Sequence, residues 1–252
     1  MKLPDPNVVL RARRGLENVD LAFPFIARLG GRRYALFVAG ALAPPVLGLG
    51  VLHAALELTW TECWLLAVPV AVWLQGLFTV AAGESMFAAE LRLGSVLRAF
   101  ARRALAYTVA LVVSRVAIVL AGMTLVLLPI VWGRCAFVPE AVLLEGAGPF
   151  SGLSRAARLA RANRGRMFEL VLALSAIVAL GVLVSEAFGH AIFDSVLELG
   201  VSAGGLFDDG GSYYALAGLF AAVPLTSTVR FLSYIVARRR VGAWEVQVKV
   251  QR

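Results

Sequence analysis

Between Leu125 and Met167 an apolar run ends at Glu145-Gly146-Ala147-Gly148-Pro149. A segment carrying Arg155, Arg158, Arg161, Arg164 and Arg166 follows, with no acid in it. Cytoplasmic loops of membrane proteins are enriched in Lys and Arg, so the side on which this segment lies fixes the number and direction of the helices. Composition says that a membrane is involved. The chain has 252 residues, 60% of them hydrophobic, and a mean hydropathy of +0.82. A soluble chain of that length needs more polar surface to cover its core. Several apolar runs reach the length needed to cross about 30 Å of hydrocarbon. A transmembrane barrel would show short alternating segments instead. The expected fold is all-α: a polytopic membrane protein with six transmembrane helices in three hairpins and amphipathic surface helices on the cytoplasmic side.

Residues 1–33 read as a cytoplasmic N-terminal segment. Pro4 and Pro6 break its start, and Leu16, Val19, Phe23 and Ile26 then recur at helical spacing, with Pro24 among them. Arg11, Arg13, Arg14, Arg28, Arg32 and Arg33 interrupt the start, so it does not read as a secretory signal. The six-span domain is placed at 34–237, with spans at about 34–56, 63–82, 104–121, 124–144, 167–188 and 213–237. Pro44-Pro45 and Pro224 are expected to kink their helices, and Trp60 and Trp64 suit an interfacial belt. Residues 90–103 read as a separate amphipathic piece with Leu93, Val96, Leu97 and Phe100 as its stripe. The stretch 189–212 reads as a short surface helix over Ala191–Val201 and then a flexible turn at Gly204-Gly205 and Asp208-Asp209-Gly210-Gly211.

The region 104–145 is ambiguous, because as one helix it would run about 60 Å, twice a bilayer. The charges choose a hairpin turning at Gly122. With the N-terminus inside, segments 1–33, 84–104, 146–167 and 238–252 hold seven, four, five and five of the 24 basic residues. The outer segments 57–62, 121–124 and 189–212 hold none, but do hold Glu57, Glu62, Asp194, Glu198, Asp208 and Asp209. A single crossing would turn Arg155–Arg166 and Arg238-Arg239-Arg240 outward, against the positive-inside rule. Surface segment followed by hairpin recurs over about 16–82, 90–144 and 150–237. An internal duplication and independent hairpins both produce that pattern.

The formal net charge of +8 is made almost wholly by arginine. On this architecture it reads as topology and as attraction to anionic headgroups of the cytoplasmic leaflet, without nucleic acid as a partner. Cys63 and Cys135 have no histidine near them that would complete a metal site. His53 and His190 lie near outer ends of spans. There is no HExxH, no GxSxG and no P-loop, so neither a cofactor nor an enzymatic role is expected.

Charges inside spans are the functional lead. Arg134 falls near the middle of the fourth span, where burial without a partner or water is costly. The candidate intramembrane network is Arg115, Arg134, Glu140, Glu169, Glu186, Arg230 and Gln75. Within it Arg115 is matched with Glu186, and Arg230 with Glu140 or Glu169. Such pairs either lock helices together or line a polar cavity for an anionic headgroup. Arg155, Arg158 and Arg161 step by three and share roughly one face; with Arg164 and Arg166 they form a candidate surface for anionic lipid or a partner. The basic tail 238–252 ends with Trp244 and with Val246, Val248 and Val250 alternating with polar residues, the period of a half-buried strand. That tail either adds to the sheet edge of a cytoplasmic partner or stays disordered after Trp244 anchors at the headgroups.

Two stretches carry a family resemblance. Phe137-Val138-Pro139-Glu140-Ala141-Val142-Leu143-Leu144-Glu145-Gly146 leads through Gly148-Pro149-Phe150 into Leu153-Ser154-Arg155-Ala156-Ala157-Arg158-Leu159. This resembles the pattern of a broad group of bacterial six-helix membrane proteins, some of them the membrane domain fused to glycerophosphodiester phosphodiesterases. The closing stretch from Arg230 through Arg238-Arg239-Arg240 is similar to the same group. It departs from the usual Glu-Gly-Trp-Asp by reading Gly242-Ala243-Trp244-Glu245, and Pro129-Ile130 stands where Pro-Gly is frequent. The resemblance implies the six-span layout in a bacterial inner membrane and, through proteins that accompany stand-alone members, an assembly role. The expected function is a non-enzymatic scaffold or subunit of a membrane complex. The alternative is a lipid-handling or small-solute transport protein with a polar cavity around Arg134.

Overall fold

The computed structural model describes residues 15–29, 32–87, 92–124, 126–196 and 203–250, and every regular element among them is a helix. The helices are α1 (Gly15–Leu29), α2 (Arg32–Leu56), α3 (Trp60–Phe87), α4 (Leu93–Gly122), α5 (Leu128–Cys135), α6 (Val138–Leu143), α7 (Pro149–Ala162), α8 (Arg164–Gly189) and α9 (Tyr213–Val250). Among the described residues five stretches are long and apolar enough to cross a membrane: Tyr34–Leu56, Trp60–Met86, Leu93–Gly122, Arg164–Phe193 and Tyr213–Val241. Leu105, Val112, Val119, Leu172 and Leu180 stand exposed on them, a surface suited to hydrocarbon rather than water.

The fourth expected span, 124–144, is not one helix. It is α5 followed by α6, eight and six residues long, or about 12 Å and 9 Å. Pro139 accounts for the break: it has no N–H to give Cys135, and its ring crowds that carbonyl. Pro129 likewise sits in the first turn of α5, where a missing donor does no harm. In the other direction, the expected boundary at 103/104 is absent. Nothing from Ser95 to Ala121 breaks a helix, so the amphipathic piece and the span are one 30-residue α4.

The chain divides into two compact units, and α3, α8 and α9 contribute residues to both. The first holds α1, Gly76–Leu174 and the chain from Ser227 onward. Here α4 packs on α5, α6 and α7, and α7 packs on α5 and α6. Leu128 lies beside Gly122 at the end of α4, while Arg103 near its start donates to the Leu143 carbonyl. The chain from α5 to α6 therefore returns along α4. Gly146 turns the chain out of α6 with φ +68, a conformation that a side chain strains, and Arg103 packs against it. In α1 the buried face is Asn18, Ala22 and Phe25, not the apolar stripe of Val19, Phe23 and Ile26. Phe25 meets Phe231 at 6.4 Å between centroids, and Asn18 Nδ2 donates to Ser233 Oγ at 3.0 Å. A polar contact thus helps set the face, and on the stripe Phe23 is 58% exposed while Val19 and Ile26 are half-buried.

The second unit holds Gly30–Gln75 and Ser175–Thr226. Glu57, with φ 50, closes α2, and Thr59 with Glu62 caps α3 reciprocally through bonds of 2.7 Å and 3.4 Å. Trp60 stacks on His53 at 4.3 Å, with Tyr213 edge-on to both. Gly218 lies so close to Gly181 that a Cβ there would come 2.4 Å from the Gly181 carbonyl oxygen. The expected helix over Ala191–Val201 is instead a π-helical continuation of α8, His190–Val196; residues 197–202 lie outside the described residues. The turn that follows is tied rather than loose. Tyr213 N donates to Ala203 O, Asp209 N to Gly205 O, and Trp64 Nε1 to Gly210 O.

The tail differs as well. Trp244, Val246, Val248 and Val250 lie in α9, which continues to Val250, and not in a strand. Extending a formed helix fixes one residue per added bond, whereas a lone strand gains no partner. Alternating valines do not outweigh that.

Candidate functional site

Three groups of charged residues arise in the first unit. The innermost joins α3, α6 and α9. Arg230 Nε donates to Glu140 Oε1 at 2.7 Å, and its Nη2 donates to Thr79 Oγ1 at 3.0 Å. Glu140 is fully buried and Arg230 is 4% exposed. The short helix α6 exists between Pro139 and the Gly146 turn, and it places Glu140 on the face that meets α9. Arg115, on α4, stands within electrostatic reach of Arg230, Tyr107 and Cys135. Its expected partner is held elsewhere: Glu186 accepts from Ser212 Oγ, from Leu206 N at 2.7 Å and from His190 Nε2 at 3.2 Å. Gln75 is half-buried on α3. Glu169 neighbours Arg166 on α8, and Glu17 and Arg240 are also near Arg166.

The second group is gathered by Glu145, just past α6. Its Oε2 accepts from Arg155 Nη1 at 3.0 Å, while Oε1 takes Arg238 Nη1 at 3.1 Å and the Tyr234 hydroxyl. Tyr234 and Arg238 are one turn apart on α9 and bond to each other at 3.2 Å. Burial by itself raises the Glu145 carboxyl. The hydrogen bonds from Tyr234 and Arg155 and the charges of Arg238 and Arg155 outweigh it, so its pKa lies below the ordinary value. Beside this clamp is a cavity of about 510 Å³ that Arg158 and Leu159 also line.

The third group is a cleft of about 300 Å³ walled by α5, α7 and α8. Arg134, Arg161 and Arg164 line it with Pro129, Ile130, Met167 and Phe168, and among the described residues no acid does. Arg134 therefore does not stand in the middle of an unbroken helix. The break at Ala136-Phe137 leaves it on α5, where the neighbouring Gly133 packs on Met167 in the first turns of α8. Arg161 is steadied by its Nε–H bond to Ala157 O at 3.3 Å. Among the described residues Arg134 and Arg164 have neither an ion pair nor a side-chain hydrogen bond. The basic stretch 155–166 is thus divided. Arg155 and Arg158 face the Glu145 cavity, Arg161 and Arg164 face the cleft, and Arg166 lines a small cavity with Asn18 and Ser233.

Tyr234, Thr79 and Asn18 were absent from the sequence-based candidates. Only Tyr234 left a signal there, its i,i+4 spacing to Arg238 on one helix face. Among the described residues no group of three His, Cys, Asp or Glu is placed to hold a metal ion. Together these observations define a protein whose described residues form only helices, five of them able to cross a membrane, with an arginine-lined cleft between short and long helices. Comparison with family models, with curated proteins and with solved structures gives no match for this chain.

Proposed function

We propose that the protein is a non-enzymatic, multi-pass protein of a bacterial inner membrane that holds an anionic lipid by its headgroup in the cleft of Arg134, Arg161 and Arg164. One observation carries this reading: three guanidinium groups from three elements line one cleft, with no acid among the described residues that line it, beside apolar side chains. Guanidinium groups bind phosphate through paired N–H donors, and the apolar walls suit the adjoining acyl chain.

The same reading takes six crossings with both ends cytoplasmic. Five crossings would put Arg155–Arg166 and Arg238–Arg240 outside, whereas a return through α5 and α6 keeps them inside. A helix broken at mid-membrane is tolerated where its open backbone is buried in protein, and Phe137 and Val138 are buried. The resemblance carried by Phe137–Gly146 supports the same layout. In this orientation α1 lies on the cytoplasmic surface with Phe23 toward the lipid. In this orientation Arg161 and Arg164 reach the cleft from the cytoplasmic side, where anionic headgroups are concentrated.

A second reading, a scaffold or subunit of a membrane complex with protein partners, draws on the two ion-pair groups, which hold α6, α7 and α9 as one fixed surface. Lipid mass spectrometry on protein purified in mild detergent separates the two. Anionic lipid retained by the parent and lost in Arg134→Leu supports the cleft. An unchanged lipid profile, with protein partners recovered by both, supports the scaffold.

A further inference from the structure

We propose that the cleft prefers lipids whose headgroup ends in a phosphate monoester or diphosphate over lipids with a phosphodiester headgroup; this rests on the lipid-holding reading above. Charge and oxygen count distinguish the two kinds of headgroup. Three guanidinium groups line the cleft, and none of the described residues lining it is acidic. A phosphodiester brings a single negative charge and two non-bridging oxygens. A terminal phosphate brings about two charges and three equivalent oxygens, and a diphosphate brings more. A guanidinium engages oxygens in pairs through a fixed fork, so three of them around one phosphodiester outnumber its acceptors.

The unmatched guanidinium groups then remain in a partly apolar cleft, where charge is compensated less well than in water. A terminal phosphate removes that mismatch, because each arginine gains its own oxygen. The elements make such an approach feasible. Arg134 comes from α5, Arg161 from the last turn of α7 and Arg164 from the start of α8, so the cleft is approached from α5 on one side and from the α7–α8 junction on the other. Arg161 is held by the Ala157 carbonyl through Nε, which leaves its terminal nitrogens for a ligand. Pro129, Ile130, Met167 and Phe168 give the first methylenes of a lipid an apolar wall, which a free phosphate does not use.

The test uses the full chain in nanodiscs of phosphatidylcholine doped with either phosphatidate or phosphatidylglycerol, read by native mass spectrometry. Phosphatidate is expected to be retained about ten-fold more than phosphatidylglycerol, the effect of one added charge-assisted hydrogen bond. Arg134→Gln and Arg164→Gln, both at exposed positions, are expected to bring the two lipids level, while Arg158→Gln, outside the cleft, keeps the preference. Equal retention of both anionic lipids, lost together in Arg134→Gln, overturns the preference and leaves the lipid-holding reading standing. No retention above phosphatidylcholine overturns both. Complete displacement of phosphatidate by equimolar inorganic diphosphate overturns the lipid as the source of the phosphate. Loss of preference in Arg158→Gln equal to that in Arg134→Gln places the site elsewhere and overturns the assignment.

Discussion

Arg230 of α9 and Glu140 of α6 meet at 2.7 Å, and solvent reaches neither to any extent. A buried pair of this kind contributes little over a well-packed apolar pair, but removing one partner strands the other charge. Glu140→Ala is therefore expected to destabilise the protein by about 3–5 kcal/mol. Glu140→Leu combined with Arg230→Met is expected to recover most of that loss. Thermal unfolding in detergent checks both, and an additive double variant contradicts the pairing.

The Glu145 clamp makes a prediction about pH. Its carboxyl titrates below the unfolded value of 4.5, so the folded state binds its proton later than the unfolded chain does. The stabilisation is fully present above pH about 4.5 and is lost as pH falls through the depressed folded pKa. Unfolding temperature followed from neutral to acid pH is expected to fall more steeply for the parent than for Glu145→Gln. Parallel curves contradict the clamp.

At the crossing of α8 and α9 the backbones of Gly181 and Gly218 touch. Gly218→Val must part the helices or strain the side chain, at a cost of about 1–3 kcal/mol. Gly40→Val, where a Cβ meets nothing within 4 Å, is the control and is expected to change far less.

Topology is open to labelling. After Cys63 and Cys135 are replaced, a Ser154→Cys variant is expected to react with an impermeant thiol reagent only from the cytoplasmic side. Labelling from the outside only leaves five crossings and removes the return through α5 and α6.

The helices long and apolar enough to cross a membrane were legible because bilayer thickness sets the required length and composition marks them, as at Tyr34–Leu56 and Trp60–Met86. The side-chain groups were less so. Hydropathy sees 124–144 as one run, while the break depends on one missing N–H at Pro139, and that break decides where Arg134 goes. Spacing puts Arg155, Arg158 and Arg161 near one another on α7, yet packing of α6 and α9 on one flank and α5 on the other separates them. Periodicity marked the apolar stripe of α1 but not the face that packs on α9, since an Asn18–Ser233 bond across 215 residues of sequence has no local signature. The tail failed for the opposite reason. A local period of two was outweighed by the helix already running into it from Tyr213.

The most direct measurement of the lipid-holding role is an electron cryomicroscopy structure of the protein in nanodiscs containing phosphatidate. Headgroup density is expected in the cleft, with the phosphate within hydrogen-bond distance of Arg134, Arg161 and Arg164 and the acyl chain leaving past Phe168. Headgroup density beside Arg155 and Arg158 alone, with the Arg134 cleft closed or filled by acyl chain, would contradict it.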